Sequence, residues 1–362
     1  MYFASLVAIL AICCGLFYTV DTNILKRDCD ITDFSQVPDV VSRCTNIRVW
    51  KMDVPAGETL NLKLQTGTTL YFKDIVKFGV ANWDGPLVNI EGNDLRIYGA
   101  AGIGFSGQGE EYWDGKGSQG SKKPLFLKIN VQGGEFYVLN LVNCPERCTS
   151  ITGSDILING WTINTSDGDK DNLGVDTVGF EVSGDNITIR NSLVFNQDDC
   201  IRVERGSNML ISNNYCNGGN GLNVEVGADP EAYEENVVSN ITFDYGVIEN
   251  STYGIHVKTV KGSGPGLLQN VSFSSINMIG IKNYSIRIHQ DYPADDNKPE
   301  GNVPIRVLNL KYVTGNMSGS SSVPVDVVCA SGACSDWTWS NISIKGNSTP
   351  CSMNYEPSGF FC

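Results

Sequence analysis

Cations are short in this chain, histidine is almost missing, and no stretch places its apolar residues at a sustained helical period. Lys and Arg number 26 against 40 Asp and Glu, a formal net charge of −14. That balance excludes nucleic acid as a partner, because a phosphate backbone calls for excess cations. The 2 histidines, His256 and His289, stand apart with no ligand-like cluster around them, so a histidine-built zinc site lacks donors. Without a 3.6-residue period, the short apolar runs are strands. Asn-Gly and related hairpin signals are scarce, which counts against a β-sandwich, the competing all-β fold. Only 18% of the residues are charged and 41% are hydrophobic, so 362 residues hold material for a large core, and all-β chains of this length often form one domain.

No Lys or Arg precedes the apolar run at 3–20, which is unusual for a signal peptide, yet its small residues near Cys14 and Gly15 fit one over 1–20. An uncleaved membrane anchor remains the alternative, since the run is about long enough to span. Lys26-Arg27, just before Asp28-Cys29, marks 21–27 as a candidate propeptide, with two surface cations as the plain reading. The expected mature chain is then 28–362, a single domain, secreted and extracellular, monomeric, and with no membrane segment. Cys13 and Cys14 lie in the leader, and the other cysteines fall into neighbours along the chain: Cys29/Cys44, Cys144/Cys148, Cys200/Cys216, Cys329/Cys334 and Cys351/Cys362. An even count behind a leader points to a disulfide framework, with thiolate zinc the weaker alternative. Sequons at Asn164, Asn186, Asn240, Asn250, Asn270, Asn283, Asn316, Asn341 and Asn347 are candidate glycosylation sites on such a surface.

What is abundant is short strand punctuated by Gly, Asn, Asp and Ser. In the second half the punctuation repeats. Asp155-Ile156-Leu157-Ile158, Asn186-Ile187-Thr188-Ile189, Asn208-Met209-Leu210-Ile211, Asn240-Ile241-Thr242-Phe243 and Asn270-Val271-Ser272-Phe273 follow one another at intervals of 31, 22, 32 and 30 residues. Each copy is a polar turn residue and then a strand with alternating apolar positions. A unit of that length cannot bury a face alone and must stack, so the pattern predicts a parallel β-helix, in which Asn at equivalent turns forms ladders. Residues 28–54, polar and irregular, read as the cap of one end. Beyond about Val303 the repeat loosens.

The chemistry centres on Asn196-Gln197-Asp198-Asp199-Cys200. Adjacent carboxylates resist ionising together, so one keeps its proton to higher pH, which suits acid–base work on a glycosidic bond. Stacked coils lie about 4.8 Å apart, so residues distant in sequence line one groove. Asp176-Thr177-Val178-Gly179-Phe180, Gly218-Gly219-Asn220-Gly221, His256-Val257-Lys258 and Gln290-Asp291-Tyr292 fall on the coils around the Asp pair. Tyr112 and Trp113 either stack on sugar or pack beneath a loop. Arg202 and Arg205 either bind uronate carboxylates or pair with Glu204 and other acids.

These motifs, with Gly109-Glu110-Glu111-Tyr112-Trp113-Asp114-Gly115-Lys116-Gly117 and the cysteine spacing apart from Cys144/Cys148, resemble the polygalacturonases of glycoside hydrolase family 28. The likeness covers nearly the whole chain. It implies a secreted right-handed β-helix that hydrolyses pectic homogalacturonan with inversion, using no metal and no cofactor. It implies pectic polysaccharide or oligogalacturonides as ligand, and a polygalacturonase-inhibiting protein as a candidate partner. It makes Asp198 the general acid, Asp199 a water-activating carboxylate, Lys258 the partner of a galacturonate carboxylate, and Tyr292 a sugar contact. Asn220, His256 and Asp176 are further candidate substrate contacts.

Three positions depart from the family pattern. Where the family has Asn-Thr-Asp-Gly-Phe-Asp this chain has Asp176 to Glu181, so a water-activating Asp is Val178. Gly-His-Gly becomes Gly219-Asn220-Gly221, and Asn220 cannot titrate. Arg-Ile-Lys becomes His256-Val257-Lys258, and His256 carries charge only at acidic pH and lacks the arginine fork. Asp176 is a candidate replacement base if it faces the same side of a strand as Val178. The expectation is a polygalacturonase-like protein with hydrolysis weak or lost, the alternatives being an active inverting endo-polygalacturonase and, against the motifs, a Ca²⁺-dependent pectate lyase.

Overall fold

The computed structural model describes residues 29–293, 296–346 and 349–362; the leader and propeptide segments and the sequon at Asn347 lie outside the described residues. Within them, 28 strands join into one parallel network that winds as a right-handed β-helix. The wall has three faces. One runs from Leu60–Lys63 through the first halves of Val88–Tyr98, Leu127–Tyr137, Thr149–Asn159, Phe180–Arg190 and Ile201–Ser212, and on to Leu222–Val226, Tyr253–Val260, Tyr284–Tyr292 and Val323–Val328. The second is made by the other halves of those long strands and continues into Val237–Asp244, Leu267–Ser274 and Ile305–Met317. The third holds short strands, among them Thr162–Asn164, Leu193–Asn196, Tyr215–Gly218 and Val247–Glu249.

The corner between the first and second faces is the repeat visible in the sequence. Asp155, Asn186, Asn208, Asn240 and Asn270 all take φ between 54° and 58°, the left-handed region that Asn and Asp tolerate best after Gly. Their side chains form a ladder: Asn186 Nδ2 donates to Asp155 Oδ1 at 2.6 Å, Asn240 to Asn208 at 3.2 Å and Asn270 to Asn240 at 2.6 Å. Three sequons, Asn186, Asn240 and Asn270, are therefore ladder rungs. A second left-handed corner, between the second and third faces, has rungs from Asn191 to Asn159 and from Asn213 to Asn191, both 2.7 Å, and passes through Val138, Tyr245 and Ser275 as well. After each Asn the alternating apolar residues point inward, and Ile187, Ile189, Ile241, Phe243, Val271 and Phe273 are fully covered. Phe243 and Phe273 stack at 4.5 Å between ring centroids.

The start of the chain is more regular than its sequence suggests. Val37–Arg43 is a helix whose Val37, Val40 and Val41 face the core, and Asn46–Val49 and Met52–Val54 already belong to the coil. Seven residues with one apolar stripe are too few for a helical period to stand out. The coil also continues past Val303. Ile305–Met317 spans both corners with Val307 and Tyr312 in the left-handed positions, so the fold persists through a coil without the Asn signal, and Asp336 and Asn341 take the left-handed conformation again in the next coil. All ten cysteines of the described residues are in disulfides: Cys29–Cys44, Cys144–Cys148, Cys200–Cys216, Cys329–Cys334 and Cys351–Cys362.

Candidate functional site

The turn from the third face to the first is the place where the coil meets solvent with polar side chains. Between Leu193–Asn196 and Ile201–Ser212 it is only four residues long and consists of Gln197, Asp198, Asp199 and Cys200. Asn196 braces it, with Nδ2 donating to the carbonyls of Thr177, Asp198 and Asp199. Gln197 turns away from the groove: it accepts from the Thr165 and Thr177 hydroxyls and donates to Asp169 Oδ1. The next coil's turn lies directly against this one. Gly219 has φ 54°, and a Cβ there would come within 2.0 Å of the Asp198 carbonyl, so only glycine allows the approach. The approach brings Asn220 Nδ2 to 2.7 Å from Asp198 Oδ1. Cys200–Cys216 ties the same two coils together.

Asp198 is half-buried and Asp199 is 1% exposed. Burial pushes both carboxyls up from the usual carboxylate range. Arg202 and Lys258 pull Asp198 back down, and the charge on Asp198 adds to the burial of Asp199, which reaches about 7. The two therefore titrate as a pair, each carboxyl's charge opposing the ionisation of the other. Asp199 Oδ2 accepts from Asn223 Nδ2 at 2.6 Å and sits 3.5 Å from Arg202 and 4.0 Å from Lys258.

The floor of the groove is a polar row on an apolar sheet. On the first face Glu181, Arg202, Asn223, His256, Arg287 and Asp326 stand opposite one another on successive strands. Two residues on, Glu225, Lys258 and His289 form a second row. Charge is paired throughout. Arg202 bonds Glu181 at 2.7 Å and Glu204 at 3.0 Å, Arg147 bonds Glu181 at 3.1 Å, and Arg287 bonds Asp326 at 3.2 Å. Arg205 pairs with Glu235. Lys258 Nζ is 2.9 Å from Glu225 and 4.3 Å from the centre of the Tyr292 ring. Burial works against its charge, but Asp199 and Glu225 outweigh burial and keep it protonated.

Asp198, Asp199, Asn220, Lys258 and Tyr292 thus share one groove. Asp176 stands at its edge in a turn rather than a strand, with φ 60°, so strand alternation does not carry it to the side of Val178. Its Oδ2 accepts from the Ser118 amide at 2.7 Å and fastens the loop at 117–118. Val178 is 2% exposed. His256 is 5% exposed, with Tyr253 stacked on it at 4.3 Å and His289 Nε2 3.0 Å from its own Nε2. Burial first, then Lys258, His289 and Arg287, lower its affinity for a proton well below the ordinary histidine. Tyr112 and Trp113 are covered: the Tyr112 hydroxyl accepts from the Ala81 amide and Trp113 Nε1 donates to the Cys144 carbonyl. Sequence reasoning passes over Asn223 and Glu225 and gives His289 and Asp291 no role, although polar-x-polar inside apolar strands (Arg202/Glu204, Asn223/Glu225, His256/Lys258, Arg287/His289) was the signal for a polar floor.

Comparison with known proteins places the whole chain. Residues 44–362 match the family described as glycosyl hydrolases family 28. A polygalacturonase of Phaedon cochleariae is 41% identical over 367 residues, covering 99% of each chain, and endopolygalacturonase I of Aspergillus niger is 34% identical over 341 residues, covering 92% of this chain and 91% of its own. Among solved structures, endopolygalacturonase I of Stereum purpureum complexed with two galacturonates superposes with a TM-score of 0.81 at 29% identity, over 92% of this chain and 100% of that one.

Proposed function

The chain belongs to glycosyl hydrolases family 28, and from that premise we propose that it acts on pectic homogalacturonan with its hydrolytic step weakened or lost. The observation that carries this reading is Val178, a covered apolar side chain next to Gly179, whose amide donates to the Asp199 carbonyl, while Asp176 stands in a turn and accepts from the Ser118 amide. Asp198 retains the features of a general acid: a raised affinity for its proton and a position on the groove. Asp199 alone is left to activate water. Asn220 holds the Asp198 carboxyl by a hydrogen bond where a titrating group would tune it. Lys258 and Tyr292 form the sugar-contacting corner. Loss of one acid–base participant costs roughly 10²–10⁴ in rate.

Five disulfides support an oxidising, extracellular destination. The reading includes removal of 1–20 and of 21–27, one mature domain from residue 28, glycans on part of the sequon set, a monomer, and exposure to inhibiting proteins that bind active relatives. The active reading has one observation in its favour, the intact Asp198–Asp199 pair, whose carboxyls burial pushes up from the usual carboxylate range.

The deciding experiment is a reducing-sugar assay on polygalacturonate at acidic pH, with Asp198→Asn as the dead control. The native chain should give trace turnover. Val178→Asp, Asn220→His and His256→Arg together should raise the rate far beyond any one of them, because such groups act as a unit. Native turnover of about 1–10³ per second would establish the active reading instead.

A further inference from the structure

The cations on the groove floor are already answered by the chain's own acids. Lys258, the residue placed to meet a substrate carboxylate, has Glu225 at 2.9 Å and Asp199 at 4.0 Å. Arg202 is shared among Glu181, Glu204, Asp199 and Glu225. Arg287 is held by Asp326 from the following strand.

His256, between Lys258 on its own strand, Asn223 and Glu225 before it and Arg287 and His289 after it, adds no positive charge either. Its geometry fixes what it does offer. Asp291 Oδ1 lies 2.7 Å from His289 Nδ1, and Asp291 Oδ2 accepts from the Asn297 amide. A carboxylate only accepts, so His289 Nδ1 carries the hydrogen. The planes of the two imidazoles differ by 3° with centroids 5.1 Å apart, so the rings meet edge to edge through their Nε2 atoms. In a neutral pair His289 Nε2 is then the acceptor and His256 Nε2 the donor, which leaves a lone pair on His256 Nδ1. That atom has no partner, and neither does Asn223 Oδ1 on the adjacent strand. Both are covered hydrogen-bond acceptors, so neither residue brings a positive charge to this part of the floor.

We infer that Glu225 and His256 are specificity-determining residues that set this groove for a pectic segment without a free carboxylate at the Lys258 position, a methyl-esterified or neutral sugar unit, in place of polygalacturonate. This rests on the pectic reading above. A free uronate at Lys258 would have to displace Glu225 and leave that carboxylate near Asp199 with only the shared Arg202 at 3.9 Å in place of Lys258 at 2.9 Å. An ester keeps the Lys258–Glu225 pair intact.

The test is binding by calorimetry of a galacturonic acid hexamer and the same hexamer methyl-esterified, to the full chain. The ester should bind at least about tenfold more tightly, and the gap should narrow as salt rises. Glu225→Gln should move the preference toward the free acid, and His256→Arg should move it further. In parallel, ¹⁵N spectra of a protein with only two histidines should show an unprotonated Nδ1 on His256 and a protonated Nδ1 on His289, in the native chain and in Glu225→Gln, which also proves that variant folded. Equal or tighter native binding of the free acid overturns the inference and leaves the pectic reading standing. An unchanged preference in folded Glu225→Gln, or a hydrogen on native His256 Nδ1, also overturns it. Binding of neither hexamer overturns the pectic reading and this inference with it.

Discussion

Asp199 is the residue whose surroundings ask most of it. It is covered, touches Asp198 through the backbone, and keeps one oxygen without a hydrogen-bond partner. Its folded carboxyl, pushed up to about 7 by burial and then by Asp198, lies above the unfolded value of about 3.9. The sign follows from linkage: between those values the unfolded chain binds fewer protons, so stability is fully present below about pH 4 and is lost as pH rises toward 7. Asp199→Asn should flatten that slope and make the protein more stable than native at pH 8, by on the order of 2–4 kcal/mol, read by urea unfolding at a series of pH values. A pH slope unchanged in the variant would mean that the carboxyl is not the group that titrates. The Asp pair was legible in sequence because like charges side by side have one physical consequence wherever they are buried. The fate of Asp176 was not, since nothing in its neighbours announces a partner such as Ser118, 58 residues away.

At the scale of an element, the Asn corner is the unit of the fold. Its positive φ makes the residue type readable, and its period made the β-helix readable from Asp155 to Asn270. The second corner escaped because Val138, Tyr245 and Ser275 occupy the same conformation without sharing a side-chain chemistry. The C-terminal coils escaped for the same reason at Val307 and Tyr312. Replacing a rung separates conformation from hydrogen bonding. Asn240→Ala should cost about 2–3 kcal/mol, from left-handed strain plus the rungs to Asn208 and Asn270, whereas Asn240→Gly should cost about 1, having no strain to bear. Equal losses in the two variants, measured by denaturant titration, would show that the corner conformation carries no energy of its own.

For the molecule as a whole, each coil touches only the coils before and after it, so the ends are the exposed places. The helix Val37–Arg43 and the strand Asp30–Ile31 cover the first coil, burying Ile31, Val37, Val40 and Val41. Deleting 29–45 should leave the remaining coils folded but associating through the bared end, seen as light scattering that grows with concentration while the β signal persists. A monodisperse deletion variant would refute a capping role. The Cys200–Cys216 disulfide has a mechanical meaning as well. Pulled from its two ends, a stack of this kind should give way a few coils at a time, in a sawtooth of force. The disulfide closes a loop over a separation of 16 residues that begins directly after the Asp pair and withholds that length from the traction. At up to about 3.6 Å per residue, roughly 55 Å of extension should appear only after reduction, so the stretch that follows the Asp pair is the longest disulfide-closed loop among the described residues that tension alone cannot draw out.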